Sequence, residues 1–180
     1  LHDGRLPPST FEAATCATIR LALVPRLAGR YNPLMNPLET YLKELQEIRS
    51  TGASVPETSY YPPLAELLNE IGKSLKPRVR CVITLANRGA GIPDGGLFTR
   101  EQFQRASDDA PKPGQLPSRG AIEVKGLDQD VARVAESEQV RRYVAEYGLV
   151  LVTNYRDFLL VGTDLDGNPL PMERYTLAED

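Results

Sequence analysis

The feature that most constrains the fold is an apolar run that follows directly on the clearest helical pattern in the chain. Apolar residues recur at helical spacing between residues 131 and 146, namely Val131, Val134, Ala135, Val140, Tyr143 and Val144. Residues 149–153 are then nearly all aliphatic or β-branched, which is typical of a strand buried on both faces. Because helices must cover both faces of such a strand, the two segments together predict an α/β protein.

The remaining segments predict helices and strands in an order that fits this class. Asn36 followed by Pro37 is an N-cap signal, and it predicts a helix from Pro37 to Ser50. A second helix is predicted from residues 57–62 to Gly72, and a further helical candidate lies at residues 11–23. Strands are predicted at residues 79–85, at 91–98 after a turn, at 120–125 and at 158–161, with a hairpin turn at Asp166-Gly167. We therefore expect an α/β sandwich around a mixed sheet.

Some finer features of this arrangement are also predicted. The strand at 120–125 is expected to be buried on one face only, and the helix at 131–146 is expected to be continuous. Residues 99–118 are polar and rich in proline, so they predict a surface loop or insertion with a short helix near residues 101–105. The predicted organisation is an N-terminal helical extension and linker at 1–52, a main domain at 53–166, and a tail or linker to downstream domains at 167–180.

Composition narrows the chemistry that this chain can perform. The chain has 180 residues, a net charge of -3 and one histidine, His2. Catalytic triads and metal sites that depend on histidine are therefore excluded. The first residues do not resemble a secretory signal and no long apolar run occurs, so we expect a cytoplasmic protein without membrane association. Any catalysis must rest on carboxylates and lysine.

Three charged residues on two neighbouring predicted strands are the best candidates for such chemistry. Glu123 and Lys125 are separated by one residue, so on a strand both side chains point to the same face. Asp94 lies at the mouth of the preceding predicted strand. If the two strands pair, both carboxylates and the ammonium converge, and the neighbouring carboxylate keeps Lys125 cationic.

Two carboxylates beside an ammonium are suited to holding a hard cation next to a phosphodiester. Asp94 and Glu123 would bind Mg²⁺, with Mn²⁺ as a substitute, and Lys125 would orient the attacking water and stabilise developing charge. The competing interpretation is a surface salt bridge between Glu123 and Lys125. The set indicates a metal-dependent nuclease.

The motifs, taken in chain order, resemble those of the PD-(D/E)xK nuclease superfamily. The resemblance rests on Pro93-Asp94, on Glu123-Val124-Lys125, and on a Q-x-x-x-Y pattern from Gln139 to Tyr143. Five segments, at residues 57–62, 91–94, 121–125, 137–143 and 152–158, are similar to the N-terminal nuclease of large single-chain restriction-modification enzymes. In those enzymes an adenine methyltransferase follows in the same polypeptide.

The resemblance implies a restriction-endonuclease-like core, in which a mixed central β-sheet is flanked by helices. It implies that Glu57 is a helix-borne acid supporting the metal site, with Glu66 as the alternative, and that Gln139 contributes to catalysis. It further implies double-stranded DNA as partner, covalently linked methyltransferase and target-recognition domains, and a role in restriction-modification or phage defence. Gly95 and Gly96 depart from the family pattern, which usually has a bulky residue after the aspartate.

Two alternative functions remain open on the sequence. The same fold is compatible with a DNA-repair nuclease, and with an inactive nuclease-like module for DNA binding or assembly. Positive charge is local in this acidic chain and falls on Lys73, Lys76, Arg78, Arg80, Arg88, Arg119, Lys125, Arg141 and Arg142. These residues form either a phosphate track or ordinary solvated faces.

Overall fold

The protein is a helix-covered sheet with a small second sheet, and its computed structural model describes residues 36–51, 57–83, 91–104 and 107–177. The helices are α1 (Pro37–Ser50), a 3-10 helix (Glu57–Tyr60) that leads into α2 (Tyr61–Ser74), α3 (Val131–Ala135) and α4 (Glu138–Tyr147). The strands are β1 (Val79–Ile83), β2 (Gly95–Thr99), β3 (Phe103–Gln104), β4 (Ser107–Pro111), β5 (Ala121–Val124), β6 (Val150–Thr153), β7 (Asp157–Thr163) and β8 (Pro169–Thr176). The helical candidate at residues 11–23 lies outside the described residues.

The main sheet has six strands in the order β1-β2-β5-β6-β7-β8. β5 and β6 are parallel, and every other neighbouring pair is antiparallel. Parallel neighbours need a crossover connection, and here α3 and α4 supply it. The predicted mixed sheet is therefore present.

The sheet separates two apolar clusters, one under each helical layer. Ile122 and Leu151 face the cluster that includes Tyr41 of α1 and Leu64 of α2. On the opposite face, Ala121, Val150 and Val152 join Val131, Val140 and Val144 of α3 and α4. β6 is buried at every position, as predicted for a central strand. β5 is also buried at every position, so the prediction of burial on one face was wrong, because helices cover both sides.

Local sequence signals explain how α1 and α2 are fixed. The side chain of Asn36 accepts a hydrogen bond from the Leu38 N–H at 3.1 Å, and α1 has its predicted bounds. In α2, the side chain of Asn69 accepts from the Cys81 N–H at 2.9 Å, which ties the helix to edge strand β1. None of the described helices is long and apolar enough to cross a lipid bilayer.

The predicted continuous helix at 131–146 is in fact two helices, α3 and α4. Glu136 ends α3, and the Ser137 hydroxyl then accepts a hydrogen bond from the Val140 N–H at 3.3 Å to cap α4. The apolar periodicity continues across the break because both helices pack on the same cluster.

Two further predictions differ from the structure. Residues 99–118 are not a plain loop, since a 3-10 helix (Arg100–Gln102) and the β3–β4 hairpin form there in place of the helix expected at 101–105. The buried Gln102 organises this segment by donating to the Leu116 carbonyl at 2.6 Å. The predicted tail at 167–180 contains β8, which pairs along the whole of β7 after the expected turn.

Candidate functional site

The pairing of β2 with β5 brings the two halves of the predicted site together. The strands are antiparallel, with Gly95 opposite Ile122 and Gly96 opposite Ala121. Asp94, the residue before β2, therefore lies beside the end of β5 that carries Glu123 and Lys125. The Val124 N–H donates a hydrogen bond to Asp94 Oδ2 at 2.8 Å, which fixes the carboxylate on the strand between those two residues.

Glu123 is the most deeply buried charged residue of this group, with 1% of its surface exposed. Its Oε1 atom accepts a hydrogen bond from the Lys125 ammonium. Its Oε2 atom is buried and has no hydrogen-bond partner in the described part of the chain. Burial raises the pKa of Glu123, and the charges of Asp94 and Glu57 act in the same direction against the opposing effect of Lys125.

Lys125 is held as a cation by these carboxylates. Burial by itself lowers the pKa of Lys125, but the hydrogen bond to Glu123 and the charges of Glu123, Asp94 and Glu57 outweigh it, so the net pKa is raised. The direction of this shift agrees with the predicted cationic lysine. A surface salt bridge is the wrong description of the pair, because the carboxylate lies inside the protein while a third of the lysine side chain is exposed, at 33%.

Asp94 is held from both sides by protein donors. The Tyr61 hydroxyl, at the start of α2, donates to Asp94 Oδ1 at 2.8 Å, while the Val124 N–H donates to Oδ2. Tyr61 had no assigned role in the sequence, because the contact joins residues 33 positions apart and leaves no local pattern.

Of the two candidate helix-borne acids, Glu57 lies close to this group. It is exposed, and its pKa is raised first by loss of hydration and then by the charge of Asp94, while Lys125 acts in the opposite direction. Glu66 instead lines a groove between α1 and α2 together with Glu44 and Glu70. Glu57 is therefore electrostatically coupled to the site, and Glu66 faces a different surface.

A buried tyrosine fixes the segment that carries Glu57. The Tyr155 hydroxyl donates to the Glu57 carbonyl at 2.8 Å, and the Tyr155 carbonyl accepts from the Tyr41 hydroxyl of α1 at 2.8 Å. Tyr155 has a φ of +72°, a left-handed conformation that is uncommon for a non-glycine residue. Sequence reasoning missed this link because it, too, joins distant parts of the chain.

Gln139 and Tyr143 share one face of α4, as predicted, and they contact each other. The Gln139 side-chain amide donates to the Tyr143 hydroxyl at 3.0 Å. A Cβ atom on Gly91, which has a φ of +108°, would lie 3.2 Å from that hydroxyl. The pair thus packs against the segment that enters Pro93-Asp94, and Gln139 itself stays half-buried at the edge of the site.

Gly95, the first of the two glycines after Asp94, has a physical reason in β2. A Cβ atom on Gly95 would lie 2.9 Å from the Val82 carbonyl oxygen and 2.9 Å from Ile83 Cδ1, so edge strand β1 leaves no room for a side chain. Glycine at position 95 therefore reflects the close approach of β1.

The acids do not form a three-residue metal cluster. Within the described ranges, no group of three or more His, Cys, Asp or Glu side chains is arranged to hold a metal ion, and this includes Asp94, Glu123 and Glu57. Like charges repel, and Lys125, Tyr61 and a backbone N–H offset them instead.

Asp94 and Glu123 nevertheless fit a hard divalent cation. Mg²⁺ is usually held by one or two carboxylates and completes its coordination with water, so two carboxylates suffice. The buried Oε2 atom of Glu123 is an oxygen ligand that no protein donor uses in the described residues. This donor set suits Mg²⁺ or Mn²⁺ and is unsuited to softer metals.

The basic residues divide into structural and exposed groups. Arg119 is buried, and the Arg80 guanidinium lies 5.3 Å from the centre of the Phe103 ring. Both side chains therefore make contacts within the fold. Arg78, Arg141 and Arg142 are exposed. Lys73 and Lys76 are exposed too, Lys125 is partly exposed, and Arg88 lies outside the described residues. A phosphate track would therefore have to use these exposed and partly exposed cations.

Comparison with solved structures identifies a similar fold. A chain in the cryo-EM structure of a DrdV–DNA complex is 16% identical to this chain, with a TM-score of 0.52 over 78% of this chain and 12% of that one. The chain thus spans about an eighth of the length of that relative. No protein-family model and no curated protein matches the chain. The likeness, together with the sheet order, confirms the restriction-endonuclease-like α/β fold.

Proposed function

We propose that this chain is a Mg²⁺-dependent endonuclease domain that hydrolyses phosphodiester bonds in double-stranded DNA. The observation that carries the proposal is the buried Oε2 atom of Glu123, which no donor contacts in the described residues and which lies beside Asp94 and a cationic Lys125. A carboxylate oxygen buried without a donor costs free energy, about 1–3 kcal/mol, unless something binds it. A divalent cation is the ligand that this oxygen and the neighbouring Asp94 would share.

Each residue has a role in this proposal that follows from its contacts. Asp94 and Glu123 would hold the cation, which supplies charge neutralisation at the phosphate and activation of water. Lys125 is cationic and partly exposed, so it can donate to a phosphate oxygen or to the attacking water. Glu57 would orient water at the exposed side of the site, and Gln139 would contact substrate from the rim formed by α4.

The DNA substrate is inferred from the comparison structure, which is a DNA complex. The net charge of -3 leaves little bulk electrostatic attraction for DNA, so tight and selective binding would depend on other domains. We infer that these are a covalently linked methyltransferase and a target-recognition domain, and that the whole protein serves restriction-modification or phage defence in the cytoplasm.

Cleavage of supercoiled plasmid tests the proposal. We expect the chain to nick plasmid with Mg²⁺ or Mn²⁺ and to be inactive in excess chelator. Asp94→Asn and Lys125→Met should abolish nicking, whereas Lys43→Met, which changes an exposed lysine of α1, should leave it unchanged. Agarose gels quantify the nicked and linear products.

Calorimetric titration with Mn²⁺ separates the proposal from the inactive alternative. Uptake of Mn²⁺ that depends on Asp94 and Glu123, together with nicking, supports a nuclease. Activity that persists in chelator contradicts the metal mechanism. DNA binding with neither Mn²⁺ uptake nor nicking contradicts the proposal and favours a DNA-binding or assembly module.

A further inference from the structure

Tyr61 lies where the start of α2 reaches the carboxylate of Asp94. Its hydroxyl donates to Asp94 Oδ1 at 2.8 Å, and the ring is half-buried against the cluster beneath α1 and α2. The Val124 N–H donates to the other oxygen at 2.8 Å. The carboxylate is therefore held by one donor on each oxygen, one from α2 and one from β5, and its plane is fixed.

This arrangement leaves the carboxylate able to bind a cation. A carboxylate oxygen has two lone-pair sites, so one hydrogen bond on each oxygen leaves one further site on each. The Tyr61 hydroxyl can act as a hydrogen-bond donor, and here it holds the carboxylate by donating to Oδ1 at 2.8 Å.

We propose that Tyr61 is a positioning residue, which orients Asp94 for a divalent cation shared with Glu123. The inference rests on the proposed function, because it concerns the same cation. It goes beyond the proposed function because it makes Tyr61, which is neither an acid nor a lysine, a determinant of cation affinity. Outer-shell partners that orient a ligand typically change metal affinity by about 10–100-fold when they are removed.

Calorimetric titration of the full chain with MnCl₂ tests this role. Tyr61→Phe keeps the ring and removes only the hydroxyl, and we expect it to raise the Kd for Mn²⁺ by about 10–100-fold. The matched control is Tyr175→Phe on β8, because Tyr175 is also half-buried and packs against the same apolar cluster as Tyr61. The control should leave the Kd unchanged.

A second measurement tests the contact without any metal. Urea unfolding in chelator of Tyr61→Phe, Asp94→Asn and the double variant should give non-additive changes, as expected for two side chains that share one hydrogen bond. Additive changes would show that the contact is absent in solution and would overturn the inference.

The outcomes distinguish this inference from the proposed function. If the wild-type chain takes up no Mn²⁺, both are overturned. If the wild type binds Mn²⁺ and Asp94→Asn does not, while Tyr61→Phe binds as tightly as the wild type or more tightly, only the positioning role is overturned. A weaker Kd for Tyr61→Phe with an unchanged Tyr175→Phe control supports it.

Discussion

Replacing Glu123 by glutamine should separate the effect of this residue on the stability of the metal-free protein from its effect on cation binding. The substitution keeps the size of the side chain and removes its charge. Glu123 is 1% exposed, one of its oxygens has no hydrogen-bond partner among the described residues, and its pKa is raised by burial and by the charges of Asp94 and Glu57. These features indicate that the ionised side chain weakens the metal-free fold.

The expected magnitudes follow from the same contacts. Without metal, Glu123→Gln should be at least as stable as the wild type, by up to about 1 kcal/mol, because repulsion is relieved and Lys125 can turn to water. With Mn²⁺ at roughly a hundredfold excess over its Kd, the wild type should gain about 2.7 kcal/mol. For a chain of this size that gain raises the thermal midpoint by roughly 5–10 °C.

Differential scanning calorimetry in chelator and in Mn²⁺ measures both effects. We expect the wild type to shift with Mn²⁺ and Glu123→Gln to show no shift. A variant that loses several kcal/mol in chelator would mean that the Glu123–Lys125 pair is there for stability. A variant that still shifts with Mn²⁺ as the wild type does would refute cation binding by Glu123.

Two further predictions concern the supporting acid and a structural aspartate. Glu57→Gln should lower the plasmid nicking rate by about 10–100-fold with little change in stability, while Glu66→Gln should be nearly silent; a reversed result would assign the role to Glu66. Burial raises the pKa of Asp157, but hydrogen bonds from Thr176 at 2.6 Å and Arg174 at 3.1 Å outweigh it, and the net pKa is lowered. Because the folded-state pKa lies below the unfolded value of about 3.9, the stability from Asp157 is present above that pH and is lost as the pH falls through the folded pKa. Urea unfolding measured from pH 7 to pH 2 should show this loss of stability in the wild type but not in Asp157→Asn. At pH 7 the variant should be about 1.5–3 kcal/mol less stable than the wild type. An acid dependence of stability that is the same in the variant would contradict the stabilising role of Asp157.

The parts of the fold that could be predicted from the sequence are those fixed by residues close together in the chain. α1 has its predicted bounds because Asn36 and Pro37 act within one turn. β6 was recognised because a strand that is buried on both faces has a continuous apolar sequence. The break at Ser137 was missed because α3 and α4 pack on the same apolar cluster, so the apolar periodicity is the same on both sides of the cap. β8 was missed because five of its eight residues are exposed and none is buried, and two of them are prolines, so its pattern resembles a linker.

The candidate site divides in the same way. Asp94, Glu123 and Lys125 could be named because their spacing on two strands predicts a shared face, and the register of β2 with β5 brings them together. Tyr61 and Tyr155 could not be named, since their hydroxyls act on residues 33 and 98 positions away. A tyrosine in an apolar helix or turn carries no local sign that its hydroxyl will reach a carboxylate or a carbonyl.

Anomalous X-ray scattering from crystals grown with MnCl₂ tests most directly whether Asp94 and Glu123 together bind a divalent cation. We expect one strong anomalous peak within ligand distance of a carboxylate oxygen of Asp94 and of the buried Oε2 atom of Glu123, and no such peak in crystals of Glu123→Gln. Wild-type crystals whose Mn²⁺ peaks all lie elsewhere, with the Lys125 ammonium still on Glu123, would contradict it.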